Sequence, residues 1–152
     1  MIGTPLPPFL LESTEGPVSR EDLRGAWTVL YAYPKDSTPG CTQEACDFRD
    51  NWARVQALGV KVYGISRDSL KSHANFIEKQ GLPFPLLSDP DKVLLAPLGA
   101  FGKKVMYGKE SEGIIRSTFL VDPEGVIRHV WPKVTVTGHV EAVLEKVKEL
   151  KG

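Results

Sequence analysis

Trp27-Thr-Val-Leu-Tyr-Ala-Tyr33, followed at once by Pro34-Lys-Asp-Ser-Thr-Pro-Gly-Cys-Thr-Gln-Glu-Ala-Cys46, decides how the rest of the chain is read. The first part is a short apolar and aromatic run, which reads as a buried strand. In the second part Thr38 can act as N-cap and Pro39 takes the first helical position, which proline favours. A helix is therefore expected from about Thr38 to Leu58, with Gly59 as its terminal cap. Cys41 falls in its first turn, where unpaired backbone N–H groups and the helix dipole stabilise a thiolate. Cys41, Ala45, Phe48, Trp52 and Val55 follow steps of four and three, so they form one apolar stripe with Cys41 at its end.

Cys41 and Cys46 are the only cysteines in the chain. Five helical steps of about 100° set them about 140° apart around the axis, with Cα atoms about 8.6 Å apart. Bridged cysteines need less than about 7 Å. If the two pair, the helix must unwind locally.

Beyond this stretch, Val60–Ile65 reads as a strand, Leu70–Gln80 as a helix closed by Gly81, Phe84–Leu87 as a short strand and Asp91–Leu98 as a short helix. Ile114–Val121 and Val126–Trp131 read as strands joined by the turn Asp122-Pro-Glu-Gly125. Val140, Val143, Leu144, Val147 and Leu150 recur at helical spacing in a closing amphipathic helix. Pro5, Pro7 and Pro8 make the start an extended lead-in. The order β-α-β-α, further strands, hairpin and helix predicts an α/β fold with a mixed central sheet and helices on both faces, in a thioredoxin-like arrangement.

The 152 residues suit a single domain spanning 1–152. Nineteen basic residues balance nineteen acidic ones, so no net field favours nucleic acid or an anionic membrane. No apolar stretch approaches the span of about 20 residues that a bilayer requires. No signal peptide is readable at the start, so a cytoplasmic location is expected. In a reducing cytosol, paired cysteines lean towards redox or catalytic work.

Several readings of the cysteine pair compete. Two buried structural cysteines are the general default, and the Thr-Pro-Gly lead-in argues against it. Two cysteines without a neighbouring histidine are too few for a metal site. A thioredoxin-type exchange protein would carry Cys-x-x-Cys, and here the spacing is Cys-x4-Cys. A non-catalytic holdase or binding module would not need Cys41 at all.

Pro34-x3-Thr38-x2-Cys41 resembles the active-site signature of the peroxiredoxins. The string Tyr33 to Asp50 is similar to the subgroup called peroxiredoxin Q or bacterioferritin comigratory protein. The likeness extends to Leu82–Asp89, Arg116–Asp122 and Gly138–Leu144, so it covers nearly the whole chain. It implies a thiol peroxidase that reduces hydrogen peroxide and organic hydroperoxides to water and alcohols, with no cofactor and no metal. Cys41 would be the peroxidatic cysteine and Cys46 the resolving one, joined in an intramolecular disulfide. Thr38 would orient the peroxide and bond the thiolate. Arg116 would reach from its strand to thiolate and substrate. Pro34 would shield the pocket, and Glu44 would support the site's hydrogen bonds. Thioredoxin or a similar dithiol would be the reductant, and a monomer is expected.

Magnitudes rank these roles. An ordinary thiol is already a few per cent ionised at neutral pH. Full ionisation therefore gains about one or two powers of ten, or about 1.4–2.7 kcal/mol. One well-placed donor to developing negative charge is worth about 2.7–4 kcal/mol. Arg116 is thus expected to act on the O–O bond more than on the ionisation of Cys41. His73, His129 and His139 read as surface or helix-end residues. Asp36 and Asp50 read as turn and helix-surface charges, and Lys103, Lys104 and Lys109 as the flanks of a solvated loop. Trp27, Trp52 and Trp131 read as core anchors. Phe76, Phe84 and Phe101 read either as core or as the lining of an organic peroxide's path.

Overall fold

A computed structural model describes residues 1–151, with Met106 described by its backbone alone; Gly152, the last residue of the expected domain, lies outside the described residues. In chain order the elements are β1 (Leu10–Ser13), β2 (Val18–Ser19), β3 (Trp27–Ala32), α1 (Pro39–Asp50), α2 (Trp52–Ala57), β4 (Val60–Ser66), α3 (Leu70–Gln80), β5 (Leu86–Ser88), β6 (Phe101–Met106), β7 (Lys109–Ile114), β8 (Ser117–Val121), β9 (Ile127–Trp131) and α4 (His139–Lys151), with a 3-10 turn at Arg20–Leu23 between β2 and β3.

Seven strands form one mixed sheet in the order β2-β1-β5-β4-β3-β8-β9. β3 runs parallel to β4 and antiparallel to β8, and β4 runs parallel to β5. Alternate residues of β3 feed two separate cores. Val29 and Tyr31 pack with Phe48, Val55, Phe76 and Val143, so α1 to α4 cover that face. Leu30 and Ala32 pack on the other face with Leu6, Leu23, Leu94 and Ile127. The expected thioredoxin-like architecture holds, with unequal layers. The second face is covered by the 3-10 turn, the lead-in and the 91–98 segment rather than by long helices.

Four local expectations differ, each for a visible reason. The helix from Thr38 breaks at Asn51. The Asn51 side-chain amide donates to the Asp47 carbonyl at 2.8 Å, while the Asn51 backbone N–H turns to Phe48 at 3.3 Å. Asp91–Leu98 is a run of turns. Lys92 is left-handed (φ 60), and the Asp89 carboxylate takes the N–H groups of Val93, Leu94 and Leu95. Lys103, Lys104 and Lys109 lie on a two-stranded hairpin, β6–β7, turned by left-handed Tyr107 and Gly108. Ile114–Val121 is not one strand: Ile114 ends that hairpin and β8 begins at Ser117. The Asp122–Gly125 turn forms as expected, with the Gly125 N–H donating to the Asp122 carbonyl at 3.0 Å.

Candidate active site

The site is assembled by strand register. Ala32, the last residue of β3, is paired with Ser117, the first of β8. The chain therefore leaves β3 towards α1 beside the point where Arg116 enters β8. The Val134 N–H donates to the Arg116 carbonyl at 2.9 Å and holds that entry in place. Residues 75 positions apart meet as a result, and Arg116 Nη2 lies 3.2 Å from Cys41 Sγ.

Cys41 sits in the first turn of α1 and is 1% exposed. Glu44, three residues on, shares the buried face of the helix, and its Oε1 accepts from Arg116 Nη1 at 2.7 Å. Arg116 thus presents one nitrogen to the thiol and another to the carboxylate, in the fork geometry that guanidinium favours. Burial opposes the Arg116 charge, and Glu44 and Cys41 more than offset it, so its pKa is raised. Gly40 leaves room for this fork, since a Cβ there would lie 3.2 Å from Arg116 Nη2.

Behind the fork the polar groups are poorly matched. Among the described residues Glu44 Oε2 is buried without a hydrogen-bond partner, and His139 Nε2 is 4.0 Å away. Burial pushes the Glu44 carboxyl up and Arg116 pulls it back, leaving it at about 7. Burial and the nearby Arg116 push His139 down to about 4, and its Nε2 bonds the Thr118 hydroxyl at 2.8 Å. The Tyr31 hydroxyl is also buried without a partner among the described residues, and burial, followed by Glu44 and Cys41, raises it well above the ordinary tyrosine value.

The remaining expected residues fall into place unevenly. Cys46 lies in the same unbroken helix as Cys41, both are free thiols, and Cys46 Sγ is 3.6 Å from Gln80 Oε1 at the end of α3. Pro34 is half-buried in the loop between β3 and α1. Thr38 occupies the N-cap position with extended backbone, yet its side chain does not cap the helix. Its hydroxyl donates to the Lys35 carbonyl at 2.8 Å, and among the described residues no hydrogen bond joins it to Cys41.

Three residues set aside in the sequence prove buried. Asp36 and His73 bond each other at 2.8 Å, and His139 lies against Glu44. The positions of these two histidines on the apolar faces of their helices were the only available signal. Lys104, half-buried on β6, has its pKa lowered by burial and then by the Arg116 charge.

Residues 2–130 match the AhpC/TSA family. The chain is 50% identical over 147 residues to a putative peroxiredoxin bcp of Coxiella burnetii, covering 96% of this chain and 97% of that one. It is 43% identical over 150 residues to peroxiredoxin Bcp of Bacillus subtilis, covering 98% and 96%. Among solved structures it resembles the bacterioferritin comigratory protein of Xanthomonas campestris, studied as trapped intermediate and ligand complexes for its alkyl peroxide reduction activity. That likeness has a TM-score of 0.90 at 45% identity, covering 95% of this chain and 92% of that one. A cysteine-to-serine mutant of Xylella fastidiosa PrxQ superposes with a TM-score of 0.93 at 38% identity, covering 100% and 98%.

Proposed function

This chain belongs to the AhpC/TSA family and is a peroxiredoxin, a thiol peroxidase, and we propose that Cys41 is its peroxidatic thiol and Cys46 its resolving one. The observation that carries this reading is Arg116 Nη2 at 3.2 Å from a buried thiol in the first turn of a helix. Cys41 thiolate attacks one peroxide oxygen, the O–O bond breaks, and water or an alcohol leaves after taking a proton. Cys41 becomes a sulfenic acid. Arg116 and the helix-start N–H groups stabilise the charge that develops on the oxygens. Glu44 holds the guanidinium in place, Pro34 shapes the loop, and Thr38 turns its hydroxyl from Lys35 to the peroxide once substrate enters.

The start of α1 then unwinds. Cys46 sulfur attacks the sulfenic sulfur, the S–O bond breaks, and water leaves as the disulfide forms. An outside dithiol of the thioredoxin type restores both thiols by exchange. The substrates are hydrogen peroxide and organic hydroperoxides, including the alkyl class on which the Xanthomonas relative was studied. The protein works as a single-domain monomer, because an internal resolving thiol needs none from a partner. We place it in the cytoplasm; no helix among the described residues is long and apolar enough to cross a membrane.

The test is a stopped-flow trace of reduced protein with one equivalent of hydrogen peroxide, followed by intact mass. Fast consumption with a loss of about two mass units supports both assignments. A gain of about sixteen or thirty-two units keeps Cys41 and removes Cys46 as resolver. No reaction with hydrogen peroxide or an organic hydroperoxide overturns both, and Cys41→Ser should abolish consumption.

A further inference from the structure

The loop that delivers Cys41 is tied to α3 through a buried polar cluster that the chemistry above does not use. Asp36 Oδ1 accepts from the Tyr33 hydroxyl at 2.6 Å. Its Oδ2 accepts from the Ser72 hydroxyl at 2.8 Å and lies 2.8 Å from His73 Nδ1. The Asp36 N–H donates to Asp68 at 2.9 Å. His73 is 0% exposed, and its Nε2 lies 2.9 Å from the Leu87 carbonyl. Both ring nitrogens therefore face acceptors, a carbonyl and a carboxylate. The Tyr33 hydroxyl also lies 3.3 Å from His73 Nδ1, so Tyr33, Asp36 and His73 close on one another. Burial pushes the Asp36 carboxyl up, but hydrogen bonds from His73 and Tyr33 more than offset this, and it stays below its ordinary value. Asp36, Asp68 and His73 could be grouped around a metal ion, but their facing atoms already bond one another and their neighbours.

The other end of α3 holds the far side of α1. The Gln80 side chain meets Cys46 at 3.6 Å, and its carbonyl accepts from Arg49 at 2.6 Å. One helix thus grips the chain at residue 36 and again at residues 46 and 49. The segment between the grips carries Cys41 and must unwind for the two sulfurs to meet.

We infer that the buried His73–Asp36 pair is a latch that fixes the upstream limit of the unwinding segment, and so governs disulfide formation rather than peroxide cleavage. His73 and Asp36 are positioning residues that touch no reacting atom. The inference rests on the two-cysteine reading, and intact mass of the oxidised wild type tests that reading separately.

The experiment is single-turnover quench-flow on wild type, Asp36→Asn, His73→Gln and the double variant, following sulfenic acid and disulfide by mass. Each variant should form sulfenic acid within about twofold of the wild-type rate and close the disulfide about tenfold faster, equivalent to about 1.4 kcal/mol. The double variant should match the singles, because all three remove one interaction. Equal slowing of both steps, or unchanged disulfide closure, overturns the latch. Should the variants fail to fold, hydrogen exchange on oxidised wild type decides. The Asp36 amide should stay protected while those of Thr42 to Ala45 lose protection. Loss of protection at Asp36 together with Thr42 overturns the inference.

Discussion

Two buried polar clusters flank the start of α1, and they are built on opposite principles. In the Tyr33–Asp36–His73–Ser72 cluster every acceptor oxygen of Asp36 meets a donor. In the Cys41–Arg116–Glu44–His139 cluster one carboxylate oxygen is orphaned, and Glu44 and His139 are pushed in opposite directions, to about 7 and about 4. A satisfied cluster has no reason to change partners and holds the backbone still. A mismatched one keeps groups ready to accept a new partner or proton. The difference separates holding from reacting within a few residues of chain.

The comparison breaks most severely at Arg116. Arg116→Ala should lower the rate of peroxide reduction by about 10²–10³. Alkylation of Cys41 by a neutral reagent should fall far less, because ionisation is the smaller term. Stopped-flow peroxide consumption and timed alkylation measure the two, and equal losses would sink the account.

Glu44 and His139 can be separated by pH. The folded state raises the Glu44 carboxyl from 4.5 to about 7, so it binds a proton that the unfolded chain releases. The stability associated with Glu44 is complete below pH 4.5 and is lost as pH rises through about 7. His139 is lowered from 6.5 to about 4, so its contribution is complete above 6.5 and is lost as pH falls through about 4. Glu44→Gln should therefore gain stability relative to wild type between pH 4.5 and 7.5, by at most about 3 kcal/mol. His139→Gln should gain relative to wild type towards acid pH. Urea denaturation at three pH values reads both effects, and parallel curves would contradict the mismatch.

Gly40→Ala is a milder probe. Its Cβ, at 3.2 Å from Arg116 Nη2, should displace the guanidinium by a few tenths of an ångström. Peroxide reduction should slow about tenfold, with folding stability little changed. The smallest expected effect tests the satisfied cluster. Ser72→Ala removes one of several donors to Asp36 and should lower unfolding stability by about 1 kcal/mol without altering the pH profile of peroxide reduction.

The sequence made the helix start legible because its signals are local. Thr38, Pro39 and the stripe Cys41, Ala45, Phe48 lie within a few turns of one another, and the stripe is buried as read. The break at Asn51 was hidden, since asparagine suits a helix surface until its amide takes the carbonyl that its own N–H would use. Asp36 read as a turn charge because its partners on α3, Ser72 and His73, are 36 and 37 residues away. His73 and His139 read as surface or helix-end residues because nothing in a lone histidine tells whether a carboxylate waits inside. Arg116 entered the sequence reading through family resemblance alone, as no local pattern ties it to a cysteine 75 residues earlier.

By itself, then, the sequence determined an α/β chain with a helix starting at Thr38-Pro39, a cysteine in its first turn and a second cysteine that an intact helix keeps out of reach. These follow from propensities and from the 3.6-residue period, which act over a few neighbours. Only the tertiary structure decided which distant groups complete the site. The pairing of Ala32 with Ser117 sets Arg116 against Cys41, and the packing of α3 on the sheet sets His73 against Asp36. Strand register and helix packing are settled by the burial of whole faces, so they are properties of the assembled fold rather than of any single stretch of it.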